Sequence, residues 1–390
     1  MNAVQGPDLQ GRRMQASQRA MEVAPFHAMA MARAAGERED AGRRVLHLEV
    51  GQPSTPAPVK VRDAAHRALD RGQFGYTNAA GIAPLRRAIA HHVQDWYGTA
   101  VDPARVMVVS GASAGFSLAF LAAFGPGDRV GVLEPGYPCY RNALGALGVE
   151  AVGIPVDDAT RWAPTATLLD AAGPLDGLVV ASPSNPTGTV VDLEPIAAYC
   201  RERGIRLVSD EIYHGLTFGA PVATASALDP SAVVINSFSK YFSMTGWRLG
   251  WMVVPEDLAD PIERLQQNFY ICAPTLSQYA AIAAFESHEE LQGHVDRCRA
   301  HRDLLVEGLA AAGITELAVP DGAFYLYADV SHLGDDSMAL CRRWLDELDL
   351  CATPGVDFDP VRGHRFVRFS YAGRRDDLVT AAERLADWTP

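Results

Sequence analysis

Short β-branched runs recur along this chain, several of them apolar at every position, with helix-patterned stretches between them. They lie at Val106–Val109, Val130–Leu133, Val149–Ile154, Leu178–Ala181, Arg206–Ser209 and Val233–Asn236, separated by stretches such as Ser113–Phe124 and Glu194–Arg203. A strand that is apolar on both faces cannot leave either face in water. It requires a sheet covered on both sides, and strands that alternate with helices give a parallel one. The pattern therefore predicts an α/β fold.

Upstream, Ala28–Glu37 reads as a short helix before an apolar strand, Val45–Val50, which Gly51-Gln52-Pro53 ends as a turn. Helices are expected at Pro58–Arg71 and Pro84–Trp96, and beyond the strands at Asp257–Gln267 and Leu276–Glu286. The last third changes character. A long helix near His294–Ala312, strands near Phe324–Asp329 and His364–Ser370, and helices at Ser337–Leu348 and Arg375–Asp387 describe a smaller α+β unit. A chain of 390 residues exceeds the usual size of one domain, which agrees with a large and a smaller unit.

Charge and cysteine usage narrow the function classes. The formal net charge of −13 would repel a polyanion, so neither nucleic acid nor an anionic membrane surface is an expected partner. The six cysteines lie far apart without a C-x-x-C pair, which argues against a disulfide framework or a zinc site. Free thiols suit a reducing cytoplasm, the expected location. Met1 to Arg19 is polar, unlike a secretory leader, and no run of about 18 apolar residues occurs anywhere.

In an open α/β sheet, ligands sit outside the carboxyl ends of the strands, so the residues that follow each strand carry the chemistry. Val106–Val109 runs into Ser110-Gly111-Ala112-Ser113, where small residues at a helix start leave backbone N–H groups open to a phosphate. Leu178–Ala181 is followed by Ser182-Pro183-Ser184-Asn185-Pro186-Thr187-Gly188, and Arg206–Ser209 by Asp210-Glu211-Ile212-Tyr213. Val233–Asn236 leads to Ser237-Phe238-Ser239-Lys240, with Arg248 further along. Each piece alone reads as a helix cap, a turn or a surface charge. Their succession along one sheet edge does not.

Lysine is scarce. Arginine carries the positive charge, and Lys60 and Lys240 are the only lysines in the chain. A guanidinium stays protonated, whereas an amine can lose its proton and attack a carbonyl. A carboxylate, a lysine and phosphate donors on one sheet edge are what a pyridine-aldehyde phosphate cofactor needs.

These segments resemble those of fold type I pyridoxal-5′-phosphate (PLP) enzymes, specifically the class I/II aminotransferases of the bacterial aspartate aminotransferase branch. The matching motifs are Ser182–Val190 (SPSNPTGTV), Ser209–Gly215 (SDEIYHG) and Ser237–Trp251 (SFSKYFSMTGWRLGW), and the resemblance runs from about Pro25 to the C-terminus. It implies the PLP-dependent transferase fold: a large domain around a mostly parallel sheet and a small α+β domain built from both chain ends. The division would be a flexible arm over 1–24, a small-domain segment over 25–48, the PLP-binding domain over 49–285 and the small domain over 286–390. It also implies a homodimer with composite active sites.

Carried over by position, the resemblance makes Lys240 the Schiff-base lysine, Asp210 the partner of the pyridine nitrogen, and Tyr213 and Asn185 the donors to the ring 3′-oxygen. Ala112 and Ser113 through their backbone, with Ser237 and Arg248, would hold the phosphate. Tyr76 would reach the neighbouring subunit's phosphate. Tyr137 would stack on the ring, with Tyr140 as its competitor. Arg368 would clamp the substrate α-carboxylate, helped by the backbone N–H of Gly51. A cis peptide bond is implied at Asn185–Pro186.

The implied reaction is a ping-pong transfer of an amino group between an L-amino acid and a 2-oxo acid, with the freed Lys240 amine moving the proton. Ser113 stands where some aspartate-using relatives have a lysine for the distal carboxylate, and no obvious replacement arginine occurs around Asn268–Pro274. A neutral or aromatic amino acid is therefore expected, with Phe26, Tyr270 and Ile271 as candidate walls. A β-eliminating C–S lyase would use the same residues and is the alternative within the fold. A PLP-dependent transcription regulator would need a helix-turn-helix domain upstream, for which the residues before Pro25 are too few. Gly125-Pro126-Gly127 precedes a strand instead of following one, so it reads as a turn and not as a dinucleotide site.

Overall fold

The computed structural model describes residues 16–72, 74–334 and 336–389. At its centre is a seven-stranded sheet in the order Val106–Val109, Gly250–Val253, Val233–Ser237, Arg206–Asp210, Gly177–Ala181, Arg129–Glu134 and Glu150–Pro155. Every pairing is parallel except those of Gly250–Val253, which runs antiparallel to both its neighbours. The apolar runs do what their composition requires. Leu178 and Val180 enter one apolar core while Val179, between them, enters the other, so both faces of the sheet are covered.

One cover is the helix Ala112–Ala123. Its Phe116, Leu118, Ala119 and Phe120 are buried, and it packs beside the helix Glu256–Phe269. Helix Ala83–Tyr97 lies against the other core, with Pro84 in its first turn, where a missing N–H costs nothing.

The C-terminal unit has a four-stranded antiparallel sheet in the order Thr353–Pro354, Phe366–Ser370, Tyr325–Asp329 and Leu317–Ala318. Both ends of the chain meet here: Leu46–His47 pairs in parallel with Leu350–Cys351. The helix His27–Asp40 packs near Thr353–Pro354, and the long helix His288–Ala311 packs along Arg375–Asp387. Of the arm expected over residues 1–24, residues 1–15 lie outside the described residues, and Gln18–Glu22 form a short helix capped by Ser17.

Several elements differ from the sequence reading. The strand expected at Val45–Val50 is ordered as a strand only over Leu46–His47, because its continuation turns into the cavity described below. The strand Gly250–Val253, which begins inside the motif Ser237–Trp251, and the helix Cys139–Ala146 are additions to the sequence reading. The implied cis bond is also misplaced. Glu134–Pro135 and Ser182–Pro183 are cis and Asn185–Pro186 is not. Hydrogen bonds from Ser184 N to Thr189 O and from Gly188 N to Ser184 O, both 2.9 Å, close the turn around Asn185 without one. Among the described residues no helix is long and apolar enough to cross a membrane.

Candidate active site

The carboxyl ends of the central strands open into a cavity of about 260 Å³. Asp210 is the last residue of its strand, Ser237 is the last residue of the next, and Lys240 follows three residues on. Asn185 comes from the turn after Gly177–Ala181, and Arg368 from the middle of Phe366–Ser370 in the small sheet. With Gly51, Ala112, Ser113, Tyr137, Tyr213 and Arg248 they all line this one space.

Lys240 Nζ donates to Gly51 O at 2.7 Å. Burial pushes the amine down to about 8, helped by repulsion from Arg368 and Arg248 and opposed by the attraction of Asp210. The amine is therefore partly neutral near physiological pH, as a nucleophile or proton carrier must be.

Asp210 is buried and held from two sides. Its Oδ2 accepts from the phenol of Tyr140, and its Oδ1 accepts from Ile212 N at 3.1 Å. Burial raises its carboxyl to about 6, although Tyr140, Ile212 and Lys240 all favour the ionised form. Burial also raises the Tyr140 phenol well above its ordinary range, so it remains a donor. Beside Asp210, the side chain of Glu211 points away from the cavity and accepts from Ala225 N at 2.8 Å, Ser209 Oγ at 3.1 Å and Thr224 Oγ1 at 3.2 Å. Nδ1 of His214 lies 2.7 Å from the Tyr97 hydroxyl. These bonds fix the Asp210–Tyr213 segment from behind.

Arg368 is almost fully buried yet meets no carboxylate. It donates to Asn185 Oδ1 at 2.9 Å, to Glu49 O and to Thr353 Oγ1 at 3.1 Å, and its Nε has no partner. Its guanidinium carbon lies 4.3 Å from the centre of the Tyr325 ring and 4.8 Å from that of Phe358. A buried cation held by neutral acceptors and aromatic faces suits an incoming anion.

Gly111, at φ +81, precedes the helix Ala112–Ala123. A Cβ there would lie 2.5 Å from a terminal nitrogen of Arg248, so the guanidinium rests against bare backbone at the helix N-terminus. Ser237 Oγ accepts from Ser239 N at 3.0 Å. N–H groups, a hydroxyl and a guanidinium thus share one corner, which is the make-up of a phosphate cradle.

Three expected residues lie elsewhere. Tyr76 is 82% exposed and borders a separate surface crevice with Thr275 and Tyr279. Tyr270 and Ile271 do not wall the cavity of their own chain: Cys272 N bonds back to Tyr270 O at 2.7 Å, a tight surface turn that leaves both side chains exposed. The cavity also holds residues that the sequence reading passed over. Tyr325 faces Tyr213, hydroxyl to hydroxyl, at 2.9 Å, and the absent side chain of Gly51 makes room for it. In sequence it is only one of three aromatics in the expected strand Phe324–Asp329. Tyr140, weighed for stacking, hydrogen-bonds Asp210 instead, while Tyr137 meets Phe26 edge-on with ring centres 6.2 Å apart.

A mostly parallel sheet whose carboxyl edge gathers a lysine, a carboxylate and a helix N-terminus beside a guanidinium, facing a buried arginine of the small sheet, has the make-up of an enzyme site. The chain belongs to the aminotransferase class I and II family, whose model matches residues 43–385. It is 48% identical over 376 residues to the valine–pyruvate aminotransferase of Mycobacterium tuberculosis, covering 94% of this chain and 97% of that one. It is 34% identical over 386 residues to the aspartate/prephenate aminotransferase of Thermus thermophilus, covering 95% and 97%. Among solved structures, an aminotransferase from Mycobacterium tuberculosis superposes with a TM-score of 0.94 at 48% identity, covering 96% of this chain and 99% of that one. The aspartate aminotransferase of Thermus thermophilus with maleate superposes at 0.91 with 31% identity, covering 96% and 99%. The protein is an aminotransferase.

Proposed function

We propose that this aminotransferase uses PLP to move the amino group of a neutral L-amino acid to a 2-oxo acid in two half-reactions. The observation that carries this reading is the convergence of Lys240, Asp210 and Arg368 on one cavity, with the amine lowered to about 8 by burial.

The residues fit the cofactor. The Gly111 backbone against Arg248, with Ala112, Ser113 and Ser237, suits the phosphate. Asp210 suits the protonated ring nitrogen, and Asn185 and Tyr213 suit the ring oxygen. When bound, PLP supplies the carbonyl that takes up the amino group and the ring that withdraws electrons from Cα. Arg368 then orients the substrate by a forked contact to its α-carboxylate, aided by Gly51. The Lys240 amine would remove the proton from the substrate Cα as base and, as acid, deliver it to the carbon that had carried the cofactor's carbonyl oxygen. Asp210 keeps its charge beside the ring nitrogen because Tyr140 and Ile212 N donate to it.

The substrate side chain meets Phe26, Met29, Tyr137 and Tyr325. Among the described residues the only cations of its own chain that line the cavity are Lys240, Arg248 and Arg368, each with a role above, so within one chain a second carboxylate has no partner. The name of the Mycobacterium tuberculosis relative supports a small neutral donor with pyruvate as acceptor. A homodimer, in which Tyr76 reaches the neighbouring cavity, is supported by exposed Phe74, Tyr76, Phe269, Tyr270 and Ile271, which form apolar surface tied together where Thr275 Oγ1 donates to Gly75 O at 2.9 Å.

The test is a half-reaction assay on PLP-loaded enzyme. L-valine and L-alanine should bleach the cofactor's visible absorption band, and pyruvate should restore it. Faster bleaching by L-aspartate would overturn the choice of substrate, and no bleaching by any amino acid would overturn the reading as a whole.

A further inference from the structure

The helix His27–Asp40 begins without a cap of its own. Phe26 holds the cap position, its side chain makes no capping bond, and the first turn has no acidic residue. A helix start leaves backbone N–H groups unpaired and carries a partial positive charge, so an anion belongs there. The chain supplies one from the other end of the sequence. Asp357 Oδ1 accepts from His27 N at 2.8 Å, and its Oδ2 accepts from Ala28 N at 2.7 Å, with the side chain buried.

The place of Asp357 links this cap to the cavity. Phe26, Ala28 and Met29 line the cavity, and Phe26 meets Tyr137 edge-on. The next residue, Phe358, puts its ring under Arg368, and its carbonyl accepts from Gly136 N at 3.0 Å, beside Tyr137. The Asp357 carbonyl accepts from the Arg141 guanidinium at 2.5 Å. A single turn, Gly355–Phe358, therefore holds the helix start, the Tyr137 segment and the carboxylate-binding arginine in register.

We propose that Asp357 is a specificity-determining positioning residue: by capping a remote helix it holds Phe26 and Met29 as the apolar wall of the side-chain pocket, and so excludes amino acids with a second carboxylate. Without the cap the first helical turn frays, the wall opens, and water reaches the pocket. A distal carboxylate then stays hydrated where the closed wall would strip it. The inference rests on the neutral-substrate reading above.

Asp357→Ala and Asp357→Asn are the variants. The asparagine keeps one acceptor and the fold's polarity, and serves if the alanine variant does not fold. Hydrogen exchange read by mass spectrometry on the cofactor-free proteins should quicken in peptides spanning residues 26–31 and stay unchanged in the central sheet. In PLP-loaded enzyme, kcat/KM for L-valine should fall about tenfold or more while that for L-aspartate holds or rises, so that discrimination collapses. Phe26→Ala should give the same pattern, and adding it to Asp357→Ala should add little, since both act through one wall. Unchanged exchange over 26–31, an equal fall for both amino acids, or additive effects in the double variant would overturn the proposal. A wild-type enzyme that prefers aspartate would overturn the substrate reading instead, while the exchange experiment would still report whether Asp357 holds the helix.

Discussion

Tyr140 donates its phenolic hydrogen to Oδ2 of Asp210, deep in the cavity wall. The carboxyl of Asp210 is raised to about 6 by burial even with this donor in place, so its charge depends on the support it receives. Asp210→Asn should still bind PLP but lose most turnover, because a neutral amide cannot keep the ring nitrogen protonated. Tyr140→Phe should fall between that variant and wild type. A hydrogen bond to a charged acceptor is worth about 1.5–3 kcal/mol, so a slowing on the order of tenfold or more is expected. Half-reaction rates for the three proteins check the order.

Borohydride treatment of the PLP-loaded protein should attach the cofactor irreversibly to Lys240. The other lysine, Lys60, is exposed and donates to Glu286 O, so peptide mass spectrometry should find no adduct there. With the amine lowered to about 8, the free fraction rises about tenfold from pH 7 to pH 9, and the rate of PLP capture by the cofactor-free protein should follow it. An ordinary lysine would give a rise of about a hundredfold over the same range.

The same shift affects stability. Lys240 binds its proton less readily in the folded than in the unfolded chain, so between its folded value of about 8 and the ordinary 10.5 the unfolded chain holds more protons and stability rises with pH. Below that window the cost of the buried ammonium is fully present. Lys240→Met should therefore stabilise the cofactor-free protein at pH 7, by on the order of 2 kcal/mol once the lost bond to Gly51 is set against the gain. The advantage should shrink as pH rises through the window, as denaturation at a series of pH values would reveal.

Arg368→Ala should weaken every amino acid alike, because the α-carboxylate is common to them all. Arg368→Lys should restore binding only in part: a point charge cannot reproduce a fork that already spans Asn185, Glu49 O and Thr353. KM values for alanine, valine and phenylalanine should move by similar factors.

Gly111→Ala should impair the phosphate cradle selectively. The added Cβ meets Arg248 at 2.5 Å, and a left-handed φ of +81 is strained for alanine. PLP affinity should drop on the order of tenfold or more, read by titration of the cofactor-free protein.

The sheet was legible because several of its strands are apolar on both faces and alternate with helix-patterned stretches, and the residues at the strand ends could be read as a set. Gly250–Val253 was less visible: it follows Arg248 at once, so the stretch read as motif, and its antiparallel direction has no local signature. Tyr140 and Tyr325 are aromatic residues among many in sequence, and only packing gives one of them to Asp210 and the other to Tyr213 and Arg368. Asp357 was beyond reach for a simpler reason. Its partners are two backbone N–H groups some 330 positions away, and backbone groups leave no trace in a sequence.

The antiparallel strand also sets an order of assembly. Val106–Val109 touches the rest of the sheet only through Gly250–Val253, which enters more than a hundred residues later. Until that late strand pairs, the strand before Gly111 and the strand before Lys240 are not hydrogen-bonded into one sheet. Closing so long a loop comes slowly and after local structure. On the PLP reading proposed above, cofactor capture should follow completion of the sheet.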